Sequence, residues 1–261
     1  MQAQLIKYTD KNFRAFGFNL ILVASDSSIE SIHNLRLNVK KIRTLLKVID
    51  YKQNVKNNDK TVKALNNIFT YSGSLRDTQI QIQLLKTFKE QAENQFSKII
   101  QALKVEQKKE NRRLKNVIIR LNPFDIVLLS QRIEQSIEKQ SDESLMLILQ
   151  KKAERLKMEF VHELKEDIDE NSLHRMRIVL KEYINILNLL KKGTGINLLD
   201  IINYKKLDIL QRRIGEWHDL KLLFEYILNQ RLNVPILLGI IKNEKDKLQI
   251  EVNENLLNIG I

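Results

Sequence analysis

Glycine and proline are scarce in this chain, and this scarcity restricts the fold more than any other feature. Seven Gly and two Pro occur among 261 residues, whereas average usage in proteins is about 7% and about 5%. A β-sandwich or a doubly wound sheet needs many tight turns, and Gly and Pro are prominent in such turns. The hydrophobic fraction of 43% is sufficient for a sizeable core. We therefore predict an all-α fold.

The absence of cysteine excludes several classes of site. The chain cannot contain a disulfide scaffold, a Cys-ligated zinc or iron–sulfur site or a cysteine nucleophile, and a reducing cytoplasm is the expected location. Residues 1–16 lack the apolar segment of a signal peptide, and no apolar stretch approaches the roughly 20 residues that a bilayer span requires. We expect a cytoplasmic protein with no cofactor, no bound metal and no membrane partner.

The charge balance indicates the chemistry of the partner. There are 44 Lys and Arg against 32 Asp and Glu, which gives a net charge of +12 and an isoelectric point near 9.6. Such a surplus attracts polyanions, including nucleic acid, anionic membranes and free polyphosphate. Charge alone does not distinguish among them.

Hydrophobic residues recur with the 3.6-residue period of amphipathic helices along most of the chain. Ser27 and Glu30 predict a capping box that begins a helix ending near Tyr51. The sequence Ser72-Gly73-Ser74 predicts a break, with Asp77 at the start of the next helix. The remaining predicted helices cover about 61–71, 91–119, 123–139, 143–165, 173–191, 199–214 and 219–231, and a last one begins at Pro235.

Two motifs occur twice in the same order. His33-x2-Arg36-x3-Lys40 returns as His174-x2-Arg177-x3-Lys181 at an offset of 141, and Gly73-x2-Arg76-Asp77 returns as Gly215-x2-His218-Asp219 at an offset of 142. Paired offsets that agree within one residue indicate an internal duplication. The hinge between the copies is expected at Ser141-Asp142, and each copy would form a bundle of about four helices.

Basic residues of the first copy share one face of their helix. At 100° per residue, a sector of only about 80° holds what we call the first stripe: His33, Arg36, Lys40, Arg43 and Lys47. No acid interrupts it, and its length of about 21 Å suits an extended anion. A second stripe of His174, Arg177 and Lys181 is shorter, because Asn185 and Asn188 follow where more cations would be needed.

These motifs resemble a known family. The segment 33–43, its partial copy 174–181, and the segments 76–77 and 210–219 are together similar to the two recurring motifs of the CHAD domain, the conserved histidine α-helical domain. The resemblance implies one continuous CHAD domain of two pseudo-symmetric four-helix bundles, 1–140 and 141–261, with a basic groove between them that binds inorganic polyphosphate. The polyphosphate-binding residues would be His33, Arg36, Lys40, Lys41, Arg43, Lys47, Arg76, His174, Arg177, Lys181, Lys205 and Lys206.

The resemblance also implies a set of partners. Phosphate or sulfate ions could replace polyphosphate in a crystal. Family members often accompany a CYTH triphosphatase, so the resemblance implies functional association with such an enzyme. It also implies a cytoplasmic location that includes polyphosphate granules. One arginine guanidinium can bind two phosphate oxygens at once, and a lysine ammonium acts as a mobile point charge. A histidine side chain adds a positive charge when it is protonated. Affinity should therefore increase below about pH 6.5.

Two other classes of function stay open at this point. A nucleic-acid-binding protein is the first alternative, although aromatic residues make up only 6% of the chain and do not alternate with the stripes. A metal-dependent polyphosphate or triphosphate hydrolase, or the partner of one, is the second. The stripes lack the acids that hold Mg²⁺ in phosphoryl transfer, and Gly193-Thr194-Gly195 does not continue as a P-loop. We expect a binding protein and not an enzyme.

Overall fold

The computed structural model describes residues 1–49, 59–91, 93–164, 168–195, 204–230 and 233–257. Within these ranges the chain forms nine α-helices, a short 3₁₀ helix at Lys89–Gln91 and no β-strand, so the predicted all-α fold is confirmed. The helices are α1 (Gln2–Ser25), α2 (Ile29–Val48), α3 (Lys60–Thr87), α4 (Glu93–Ile119), α5 (Pro123–Glu138), α6 (Asp142–Leu164), α7 (Glu170–Thr194), α8 (Tyr204–Asn229) and α9 (Pro235–Leu257).

Capping residues account for where several helices begin and end. The N-cap of α2 is Ser28, whose hydroxyl accepts from the Ser31 amide at 3.2 Å, so the capping box predicted at Ser27 is wrong by one residue. Asn122 caps α5 as the Asn-Pro sequence suggests, and its side chain accepts from the Phe124 amide at 3.0 Å. After α7, Gly195 has a φ of 70°, a left-handed conformation that glycine adopts most easily.

The two breaks predicted at glycine are wrong. α3 continues through Gly73 and α8 continues through Gly215. One glycine costs a helix interior only about 1 kcal/mol, and burial of a neighbouring side chain such as Leu75 contributes more than that. Asp77 therefore lies inside a helix and does not begin one. The helix limits predicted near residues 51, 199 and 231 lie outside the described residues.

The sequence pattern did not predict α1. Its buried positions include Thr9, Asn12 and Asn19, and these polar residues interrupt the apolar stripe. The Thr9 hydroxyl and both Asn amides donate to carbonyls four residues earlier in α1. The Asn19 amide also donates to the Asn38 side chain of α2 at 2.8 Å, and this buried bond fixes the register of the two helices.

Backbone contacts divide the chain into two compact units. Unit 1 consists of Met1–Arg76, Glu110–Arg155 and Asn185–Leu198, and unit 2 consists of Asp77–Lys109, Leu156–Ile184 and Leu199–Ile261. In unit 1, α1 packs against α2 and α5. In unit 2, α8 packs against α9, and the core includes Leu85, Leu103, Leu223 and Leu237. The division into halves at 140/141 and the groove between two bundles stay predictions.

No helix in the described part of the chain combines the length and the apolar character that a membrane span requires.

Candidate anion-binding site

The helix α2 has an apolar face and a basic face, as its 3.6-residue periodicity predicts. Leu35, Val39 and Ile42 are fully buried, because they lie on the face that packs against the rest of unit 1. The first stripe lies on the adjacent face, where His33 and Lys47 are exposed and the other three members are half-buried. The helix thus anchors itself through one face and presents basic side chains on the other.

The guanidinium of Arg36 is held by α3. Its Nη1 donates to the Phe69 carbonyl at 2.8 Å, and its Cζ lies 4.7 Å from the centre of the Phe69 ring. Arg43 contacts the same ring, with its Cζ at 4.3 Å from the centre. Phe69 therefore supports two arginines of the first stripe through cation–π contacts, which sequence analysis did not identify.

Gly73 gives Arg36 the space that this position needs. A Cβ added at Gly73 would lie 2.7 Å from Arg36 Nη1, whereas a Cβ added at its repeat equivalent, Gly215, would meet no atom within 4 Å. The first glycine therefore leaves room for the guanidinium of Arg36 in its observed position. The second has no such contact in the structure.

His33 lies among cations of its own unit. Burial lowers the pKa of His33 from its ordinary value of 6.5, and the charges of Arg76 and Arg36 lower it further. These two arginines come from α3 and α2. The structure thus brings the predicted residues His33, Arg36 and Arg76 together, and the imidazole is neutral at pH 7.

Lys41 lies apart from the first stripe. It lines a recess of about 280 Å³ in unit 1 together with Tyr8, Thr44 and Lys192. Burial and the charges of Lys11 and Lys192 lower the pKa of Lys41. Its position about 80° from His33 around α2 already places it beyond the stripe.

The second stripe meets α8 within unit 2. The rings of His174 and His218 lie 5.3 Å apart between centres at 41°. His174 is exposed, and its pKa is lowered first by partial burial and then by Arg177, Lys221 and Lys181. The structure therefore brings His174, Arg177 and Lys181 together, as predicted, and adds two residues of α8 to them.

Arg177 is the most buried basic residue of this cluster. Burial lowers its pKa, and the carboxylates of Asp219 and Asp77 oppose that effect. Its Nε is buried and has no hydrogen-bond partner among the described residues. Asp77 and Asp219 thus lie close enough to Arg177 to favour its charged form.

His218 was absent from the predicted site, although its alignment with Arg76 in the repeat could have suggested it. Burial, followed by the charges of Arg177 and His174, lowers the pKa of His218 to about 3. Its Nδ1 is buried without a hydrogen-bond partner in the described part of the chain. A neutral imidazole can donate from Nδ1 in one of its tautomers.

Lys221 was also missed. Its ammonium lies 3.0 Å from the Glu170 carboxylate and 5.5 Å from the centre of the Trp217 ring. The Lys245 ammonium bonds the other oxygen of Glu170. Because Glu170 binds both ammonium groups, it holds Lys221 beside the histidines and offsets part of the local charge.

The remaining predicted residues lie at the start of α8. Lys205 and Lys206 are exposed there, and neither is among the cations that lower the pKa of His218. Within the described ranges, no three His, Asp or Glu side chains are grouped as a metal site requires.

Comparison with known proteins agrees with the helical architecture. A family model described as the CHAD domain matches residues 7–227. Among solved structures, the chain is similar to the crystal structure of the CHAD domain from the plant Ricinus communis, with 15% sequence identity and a TM-score of 0.75. The match covers 99% of this chain and 90% of the other. No curated protein matches the chain.

Proposed function

This chain belongs to the CHAD domain family, and from that premise we propose that it binds inorganic polyphosphate without catalysing its cleavage. The observation that carries the proposal is the cluster of basic side chains in unit 2, where Arg177, Lys181 and Lys221 lie around His174 and His218. Arg177 Nε and His218 Nδ1 are buried inside this cluster, whereas His174 is exposed at its surface. An anionic ligand would bind at that exposed side.

The surrounding charge favours an anionic ligand. His174, Arg177, Lys181 and Lys221 are the groups that, together with burial, hold His218 neutral. The like charges of Arg177, Lys181 and Lys221 repel one another, and a bound polyanion would relieve that repulsion. In unit 1, Arg36 and Arg76 surround His33 in the same manner.

The residue types suit a phosphate chain. The ring of Phe69 orients Arg36 and Arg43, and an oriented guanidinium can bind two phosphate oxygens at once. Lys40 and Lys47 are point charges without a fixed bonding geometry, so they tolerate different positions of the phosphate chain. Their common face of α2 extends over several phosphates, so binding should release counterions and weaken as salt increases.

A titration with polyphosphate of defined length tests the proposal. The variant Lys40→Ala with Lys47→Ala removes two charges from the first stripe. The control Lys104→Ala with Lys108→Ala removes two exposed charges from α4. We expect the stripe variant to lose about tenfold in affinity and its salt dependence to become shallower by about 1.4, because about 0.7 is lost for each phosphate contact.

Equal losses in the two variants would show that only total charge matters, and the proposed site would be wrong. Competition at fixed salt separates the ligand classes: displacement of polyphosphate by duplex DNA at equal phosphate concentration would contradict the proposal. Release of phosphate from polyphosphate in the presence of Mg²⁺ or Mn²⁺ would contradict the absence of catalysis.

A further inference from the structure

An apolar groove on unit 1 shares no lining residue with the candidate anion-binding site. It has a volume of about 490 Å³ and lies between α1 and α5, with the end of α4 closing one side. Its floor includes Phe13, Leu20 and Ile126, and Gly17 leaves space there because an added Cβ would meet no atom within 4 Å. From Asp10 to Ala24 the groove follows α1 for about 21 Å.

Large apolar side chains form exposed ridges on and around this groove. Their exposed fractions lie between 51% and 78%, and the residues are Phe18, Ile21, Ile119, Phe124 and Val127. A monomer rarely exposes a contiguous apolar patch larger than a few hundred Å² unless the patch has a function. We propose that this face is the interface of a twofold-symmetric homodimer, with the ridges of each copy packed into the groove of the other.

The area is sufficient for such a dimer. At about 100 Å² of exposed surface for each ridge residue, compared with 150–250 Å² for a whole aromatic side chain, the ridges offer about 500 Å². With the groove floor included, two copies would bury roughly 1,200 Å², which is the lower limit for a stable interface. A ridge beside a groove on one face is also what self-complementary packing requires.

The direction of the helices permits a twofold axis along the groove. α1 and α5 are antiparallel, because the side-chain amide of Gln2 donates to the Glu138 carbonyl at 2.8 Å, while Ala24 at the other end of α1 lines the groove with Pro123. Rotation about that axis places α1 of one copy against α5 of the other. The end of the groove near Ala24 and Pro123 in one copy then lies next to the same end in the other. The apolar end of each copy then meets the apolar end of the other.

The charges at the opposite end of the groove are complementary under this rotation. Lys7 shares a face of α1 with Asp10 and Arg14, which line the groove and pair with each other at 2.8 Å. On α5, Glu134 and Glu138 are four residues apart and share a face. The axis brings Lys7 of one copy next to the acidic pair of its partner. A second copy therefore explains both the apolar ridges and the charges beside them.

Sedimentation velocity of the full chain, free of polyphosphate, tests the proposal. We expect a dimer between about 1 and 100 μM that persists at about 0.5 M salt, where screening leaves apolar contacts intact. Ile21→Glu with Val127→Glu should raise the dissociation constant at least about tenfold. The control, Ile178→Glu with Ile250→Glu, changes two equally exposed residues of unit 2 and should leave the dimer unchanged.

Charge reversal supplies a test that does not depend on apolar residues. Lys7→Glu alone and Glu138→Lys alone should weaken the dimer at low salt, and the double reversal should restore it. A monomer at every concentration, or a dimer that survives Ile21→Glu with Val127→Glu, would overturn the proposal. So would a monomer that binds anionic phosphatidylserine vesicles through this face, because the occupant would then be a membrane.

Discussion

The exchange of Gly73 for Ala tests how the first stripe is held. The added Cβ would lie 2.7 Å from Arg36 Nη1, so the guanidinium must move. Arg36 is long enough to do so, but it would give up the bond to the Phe69 carbonyl and its place on the Phe69 ring. The substitution therefore displaces the Arg36 guanidinium without changing its charge.

The magnitude follows from three contributions. A hydrogen bond from a charged group contributes about 1.5–3 kcal/mol, and a partly exposed cation–π contact contributes about 0.5–1 kcal/mol. Replacing glycine with alanine inside a helix raises the free energy of unfolding by about 1 kcal/mol. We therefore expect Gly73→Ala to lower the free energy of unfolding by about 1–3 kcal/mol.

Gly215→Ala is the matched control. Gly215 occupies the equivalent place in the repeat, inside α8, and an added Cβ meets nothing within 4 Å. This variant should gain about 1 kcal/mol of stability. Urea unfolding measures both changes, and polyphosphate titration at fixed salt should show weaker binding for Gly73→Ala alone. Equal stabilisation by the two substitutions would refute the idea that Gly73 makes room for Arg36.

Three further predictions concern the histidines and Phe69. The pKa of His218 is lowered to about 3, so between pH 6.5 and 3 the unfolded chain binds a proton at this residue that the folded chain does not. The free energy of unfolding should therefore fall as pH decreases from 6.5 towards 3. In acid unfolding curves, His218→Asn should make that decline less steep. Burial and nearby cations lower the pKa of His33 and His174, so polyphosphate affinity should be nearly constant from pH 8 to 6.5. Below pH 6.5 the affinity should increase by at most about tenfold per pH unit for each histidine. Affinity that does not change with pH would show that protonation of these histidines does not contribute to binding. Phe69→Leu keeps an apolar side chain at this half-buried position but removes the ring, and calorimetric titration should show several-fold weaker polyphosphate binding. Unchanged affinity would contradict the role of Phe69 in orienting the arginines.

Local signals predicted the helices where a single segment carries the information. The helix α2 has an apolar face and a basic face, and the 3.6-residue period alone places Val39 and Ile42 on the face that is buried. Asn122 followed by Pro123 likewise marks the start of α5. At Gly73 the local signal for a break was outweighed, because packing of the flanking residues exceeds the cost of one glycine.

The candidate site was only partly accessible from the sequence. The repeat identified His174 and Arg177, but not the burial that isolates the Arg177 Nε or the pairing of His174 with His218 of α8. Lys221 was missed because its position depends on contacts with Glu170, 51 residues earlier in the chain. Such contacts join residues that are far apart in sequence and have no periodic signature.

The order of basic residues along one helix face is a property of the chain alone, since covalent spacing and helical geometry place Arg36 and Lys40 on the same side wherever the helix packs. Whether a guanidinium is bound to a carbonyl, or an imidazole is kept neutral, depends on which groups surround it. Tertiary packing brought Phe69 beneath Arg36 and buried His218 beside Arg177, because burial and Coulomb interactions depend on distance in space and not on distance along the chain.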